Sequence, residues 1–91
     1  MNIPIAIHKD PGSSYGVSVP DLPGCISAGS TIDEAMLMAR EAILLHLEGI
    51  LEDGLEWPTP SDVETLRADP DYADAIWAIV SVDLDHSQRA A

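Results

Sequence analysis

Asp10, Asp21, Asp83 and Asp85 are the carboxylates whose placement raises a chemical question. Two-metal hydrolysis needs several such groups converging on paired Mg²⁺ ions about 4 Å apart. Asp83 and Asp85 are two residues apart and so share one face of an extended strand. Asp10 and Asp21 fall in turn-forming stretches instead. That placement favours an acidic patch at a sheet end over a metal centre. His8, His46 and His86 lack the spacing by which histidines gather round zinc. His46 lies near an apolar helix stripe, where a hydrogen-bonded interior imidazole is expected. Cys25 is the single cysteine and has no base beside it in sequence to activate it. It forms no disulfide within the chain and suits a reducing cytoplasm. No catalytic residue, cofactor-binding residue or metal ligand is assigned, and no cofactor is expected.

The charge balance says more than any single residue. Sixteen acidic residues against four basic ones give a formal charge of −12. Such a surface repels phosphate backbones, so direct nucleic-acid binding is not expected. It attracts a basic partner and speeds the encounter. Solubility alone is the competing explanation of the same charge. No basic segment followed by a long apolar run marks a signal peptide, and no apolar run is long enough to span a bilayer, so no membrane association is expected.

Ninety-one residues make one small domain, which buries only about 60–65% of its unfolded surface. Apolar residues make up 46% of the chain, with two Trp, two Tyr and no Phe, so the core is aliphatic. Ile3, Ile5 and Ile7 alternate with polar or small residues, which predicts a strand over 1–8. Pro4 cannot donate to a ladder and points to an edge strand. Residues 9–14 are a turn cluster. Tyr15, Val17 and Val19 share one face of a second strand. Pro20-Asp21-Leu22-Pro23-Gly24 breaks it, and a weaker strand follows over 25–29.

Thr31 and Glu34 form a capping box for the longest helix, expected over 32–53 with Gly54 as the residue that stops it. Ile32, Ala35, Ala39, Ile43, His46 or Leu47, and Ile50 make its apolar stripe; Asp33, Glu34, Arg40, Glu41, Glu48 and Glu52 mark the wet side. Leu37, Met38, Leu44 and Leu45 widen the apolar face and are candidates for self-association. Trp57 lies in a proline-flanked connector. Ser61 and Glu64 read as a second capping box for a short helix ended by Asp69-Pro70. The last strand is expected over 75–84. It is apolar on both faces at first, so it should be internal to a sheet or covered by another molecule. The element order predicts a two-layer α+β domain: an antiparallel meander of three strands, a long and a short helix on one face, and a last strand returning beside the first.

One family carries this pattern. The run Tyr15-Gly16-Val17-Ser18-Val19-Pro20-Asp21-Leu22-Pro23-Gly24-Cys25, then Gly29, Thr31, Glu34-Ala35, Ala39 and Glu41-Ala42, resembles the N-terminal domain of HicB antitoxins. Trp77-Ala78-Ile79-Val80-Ser81-Val82-Asp83 resembles the family's final strand. The resemblance runs from Ile3 to about Leu84. It implies a partial ribonuclease H-like fold and a type II toxin–antitoxin role. The partner it implies is HicA, a small basic RNA-cleaving toxin that the antitoxin occludes without catalysis. Longer members carry a C-terminal DNA-binding domain through which they regulate their own transcription. Here the expectation is a HicB-like domain over 1–85 and a tail or linker start over 86–91, with the DNA-binding domain absent.

The candidate partner contacts are Asp10, Asp21, Leu22, Pro23, Trp57, Asp83 and Asp85. A homo-oligomer, dimer or higher, is expected because small domains with wide apolar faces seldom stay alone. Two other readings stand beside this one: a metal-dependent nuclease-like domain with residual activity, and an orphan oligomeric domain without a toxin.

Overall fold

The computed structural model of the chain describes residues 1–82. The elements in order are β1 (Asn2–Lys9), β2 (Tyr15–Ser18), β3 (Ile26–Gly29), α1 (Ile32–Glu52), α2 (Val63–Arg67), a short 3-10 turn (Pro70–Tyr72) and β4 (Ile76–Ser81). All strand pairings are antiparallel and the sheet order is β3-β2-β1-β4. This is the expected meander with a last strand returning beside the first.

The core follows from the two periodicities. Ile3, Ile5 and Ile7 of β1, Val17 of β2 and Val80 of β4 turn to the helix side and are buried. Ala35, Ala39, Ile43 and Leu47 of α1 meet them, each fully buried. Burying a side chain of the size of Ile or Leu contributes about 1.5–3 kcal/mol, so this aliphatic seam is the main source of stability. Leu47 takes the core position and His46 is half-buried beside it. Ile32, at the start of the stripe, remains 37% exposed.

Both ends of α1 are built as expected. The Thr31 hydroxyl accepts from the Glu34 amide at 3.0 Å, and Glu34 Oε1 accepts from the Ser30 amide at 3.0 Å. The reciprocal bond thus reaches one residue beyond the cap. At the other end Gly54 has φ +75°, its amide donates to the Leu51 carbonyl, and the Leu55 amide donates to the Ile50 carbonyl, both at 3.0 Å. That pair of bonds is a Schellman motif. For α2 the capping residue is Asp62 and not Ser61: the Asp62 carboxylate accepts from the Thr65 amide at 2.8 Å. This bond holds the Asp62 carboxyl below its ordinary value. Ser61 is engaged elsewhere, as described below.

One expectation about sheet position is reversed, and of the two alternatives for the last strand the internal one is excluded. β1 is internal, flanked by β2 and β4, although it contains Pro4. The Met1 amine and the Val82 carbonyl lie 2.8 Å apart, and the Val82 amide donates to the Met1 carbonyl at 2.9 Å. Bonded and non-bonded pairs alternate along an antiparallel ladder. Counting from Met1–Val82, the Pro4↔Ile79 pair is a non-bonded one. The nitrogen of Pro4 therefore faces the β2 side, where pairing begins only at Ala6↔Ser18. The proline forfeits no ladder bond. β4, in contrast, is an edge strand despite being apolar on both faces. Ile76 and Ile79 remain 51% and 56% exposed, while Tyr72 packs edge-on against Trp77 at 5.4 Å.

The sheet and α1 approach closely at Gly29, the last residue of β3. A Cβ there would collide with the backbone of Glu34 and Ala35. Replacing Gly29 by Ala is expected to lower stability by about 1–3 kcal/mol through overpacking, and Ile43→Ala by about 2–5 kcal/mol through cavity formation. Urea titration checks both; an unchanged midpoint for Gly29→Ala would show that the helix start shifts freely.

Candidate partner-binding surface

The Pro20–Gly24 turn is held from within. The Leu22 amide donates to the Val19 carbonyl at 3.0 Å, the Cys25 amide to the Leu22 carbonyl at 2.9 Å, and the Val19 amide to the Cys25 carbonyl at 3.2 Å. Gly24 has φ +86°, the left-handed conformation that glycine accepts without penalty. Leu22 points into the core and is 1% exposed. It is therefore a packing residue, and the outer surface of the turn is left to Pro23, which is exposed, and Asp21. Asp21 is itself engaged. Its two carboxylate oxygens accept from the Ser61 amide at 2.8 Å and the Ser61 hydroxyl at 2.7 Å.

Trp57 has an internal role as well. Its indole N–H donates to the Leu47 carbonyl at 3.1 Å, and its ring packs on the core. The connector between α1 and α2 is thus strapped at Trp57 to the helix and at Ser61 to the Pro20–Gly24 turn. Asp10 is exposed in the β1–β2 turn. That turn precedes β2 and the Asp21 turn follows it, so the two aspartates lie at opposite ends of the meander and cannot share an ion. Asp83 and Asp85 lie outside the described residues. Among the described residues no group of three His, Cys, Asp or Glu side chains is gathered as a metal would need. Cys25 is 5% exposed, and burial pushes its thiol above the ordinary value, so it stays protonated near neutral pH.

What the sheet does assemble is a helix surface. α1 lies across one face of the sheet and turns Glu34, Glu41, Glu48 and Glu52 outward, all exposed. The first three recur every seven residues, so they form one stripe along the axis. Arg40 is the helix's only Lys or Arg. At about 100° per residue, Leu37 and Leu44 fall on one side of this stripe and Met38 and Leu45 on the other. Leu37, Met38 and Leu45 are 57%, 39% and 70% exposed, while Leu44 packs on the core. The four residues read from the sequence as one self-association face are therefore divided into two flanks by glutamates. The seven-residue recurrence of glutamate is the signal in the sequence that would have found this surface. No helix among the described residues is long and apolar enough to cross a membrane.

The described residues thus form a small α+β domain whose long helix carries an acidic surface flanked by exposed Leu37, Met38 and Leu45. The profile of the HicB-like antitoxins of bacterial toxin–antitoxin systems matches residues 3–91, and the chain belongs to that family. It is 51% identical over 86 residues to an uncharacterized 14.9 kDa protein from the rep–hol intergenic region of Haemophilus phage HP1; this covers 94% of the chain and 64% of the phage protein. The chain thus spans somewhat less than two thirds of that relative. The crystal structure of the N-terminal domain of Burkholderia pseudomallei antitoxin HicB is similar with a TM-score of 0.81 and 53% identity, covering 92% of this chain and 100% of that one. A chain of a HicA3–HicB3 toxin–antitoxin complex matches with a TM-score of 0.77 and 30% identity, covering 92% and 100%.

Two measurements probe the geometry. A double-mutant cycle of Asp21→Asn and Ser61→Ala, read by urea titration, is expected to give a coupling of about 1 kcal/mol; additive effects would mean that the strap contributes nothing. Cys25 is expected to resist a thiol-disulfide reagent in the folded protein and to react rapidly in denaturant. Equal rates in both would place the thiol outside the core.

Proposed function

We propose that this chain is the toxin-neutralising domain of a HicB-like antitoxin, and that it works by covering a small basic RNA-cleaving toxin of the HicA kind. The observation that carries this reading is the exposed recurrence of Glu34, Glu41 and Glu48 on α1, in a chain of net charge −12. A protein that cleaves RNA must present cations to phosphate, and a rigid row of carboxylates offers those cations an alternative ligand. Leu37, Met38 and Leu45 on the two flanks supply apolar contact once the charges have met, since desolvated side chains contribute most to slow dissociation. The HicA3–HicB3 complex, in which a similar chain stands with a toxin, supports the pairing. Asp10 and Pro23, exposed near the two ends of β2, are further candidate contacts. On this reading the domain inhibits by occlusion, without chemistry of its own and without touching nucleic acid, in the cytoplasm where the toxin meets its target RNA.

The test is a titration against the small basic protein encoded beside this gene, at low and at roughly physiological salt. Association is expected to be fast and to slow as salt rises, and RNA cleavage by the partner is expected to stop at stoichiometry. The double variant Glu41→Lys, Glu48→Lys changes exposed residues only and is expected to cut the association rate roughly tenfold or more. Absence of a complex at either salt would overturn the reading.

A further inference from the structure

Of the two Trp and two Tyr in this chain, one of each has an internal task. Trp57 donates its indole N–H to the Leu47 carbonyl, and the Tyr15 ring holds the Lys9 ammonium 5.8 Å from its centroid. Tyr72 and Trp77 pack on each other instead. Their rings meet edge to face with centroids 5.4 Å apart, and both stay half-buried. They form the aromatic wall of an open pocket of about 230 Å³, completed by Val63 and Arg67 of α2 and by Ala73 and Ala75.

This wall lies apart from the glutamate stripe. Ala6 is the ladder partner of Trp77 and sits between Ile5 and Ile7, which turn toward α1. Trp77 therefore stands on the opposite face of the sheet.

Size and charge limit the occupant. Sites for drug-sized molecules take about 300–1,000 Å³, so this pocket has room for one long side chain. Three exposed acidic residues adjoin its lining along the chain: Glu64 follows Val63, Asp71 precedes Tyr72, and Asp74 separates Ala73 from Ala75. Arg67 does not reverse this balance. Its guanidinium lies 3.5 Å from the Glu64 carboxylate and is largely exposed, so its stem lines the pocket while its charge is turned to Glu64. Aromatic faces inside a negative rim suit a cation. A planar guanidinium stacks on such a face, whereas an ammonium group cannot.

We propose that this pocket seats one arginine side chain of a basic protein partner, stacked against Trp77 and paired with Asp74. The net charge of −12 makes a basic protein the complementary source of that arginine. A buried aromatic pocket that takes an arginine is the usual form of an interface anchor. The inference concerns the side chain received and holds whichever basic protein brings it, so its test uses no toxin.

The probe is N-acetyl-arginine amide, titrated at millimolar concentrations into the full chain and followed by two-dimensional NMR. The Trp77 indole N–H signal and the amides of Tyr72 to Ala75 are expected to shift saturably. The Trp57 indole signal is expected to stay in place, which also reports that the fold is intact. The neutral isostere N-acetyl-citrulline amide is expected to leave Trp77 unmoved, and N-acetyl-lysine amide to bind more weakly than the arginine compound. Asp74→Asn changes an exposed residue and is expected to weaken arginine binding roughly two- to fivefold; Trp77→Leu is expected to abolish it. Equal effects of arginine and citrulline overturn the proposal, and so does a titration that moves only the α1 glutamates. Shifts of the same lining residues with acetate but not with the arginine compound also overturn it, because the pocket would then serve the Arg67 charge. The citrulline comparison on the unmodified chain decides the matter even if Trp77→Leu fails to fold.

Discussion

The contact on which the rest of the molecule depends is the close approach of α1 to the sheet at Gly29. With no side chain there, the start of the helix reaches the backbone of β3, and Ala35 and Ala39 follow with methyl groups small enough to keep the separation short. Ile43 and Leu47 then join the core formed by Ile3, Ile5, Ile7 and Val80. The same packing decides which residues remain outside. With one face used by Ala35, Ala39, Ile43 and Leu47, the opposite face must carry Glu34, Glu41 and Glu48 into solvent.

A small domain of this kind has little stability to spare, and its secondary contacts add to the core at points where the chain would otherwise be loose. Met1 is tied to Val82, Trp57 to the Leu47 carbonyl, and Ser61 to Asp21. The last two strap the connector down along the end of the helix and the Pro20–Gly24 turn. Polar side chains that look available for a partner are thereby engaged in holding the fold, while the helix stripe makes no demand on internal hydrogen bonds beyond the cap at Glu34.

Charge and strand chemistry divide the surface into parts of different character. The outer face of α1 is acidic with apolar flanks, and the β4 edge is apolar and neutral. Long-range attraction brings cations to the first, whereas the second is suited to short-range pairing between backbones.

The strands, the long helix and its two caps were legible in the sequence because each depends on residues within one or two turns of each other. Alternation assigned Ile3, Ile5 and Ile7 to one face, Thr31 and Glu34 marked the helix start, and Gly54 marked its end. The pattern from Tyr15 to Ala42 also carried the family. Sheet order was not local. Pro4 suggested an edge, yet its position in the β4 ladder and the late start of β2 pairing make an internal place harmless. β4 suggested a strand either internal or covered by another molecule, because apolar residues on both faces say that a strand is covered without saying by what. Ser61 and Asp62 are equally good caps by type, and the distant Asp21 carboxylate decided between them. Leu22 and Trp57 looked like contact residues until packing drew them inward. Local periodicity and capping are written in residue type and spacing; the neighbour across a ladder or a strap forty residues away is chosen only when the whole chain closes on its core.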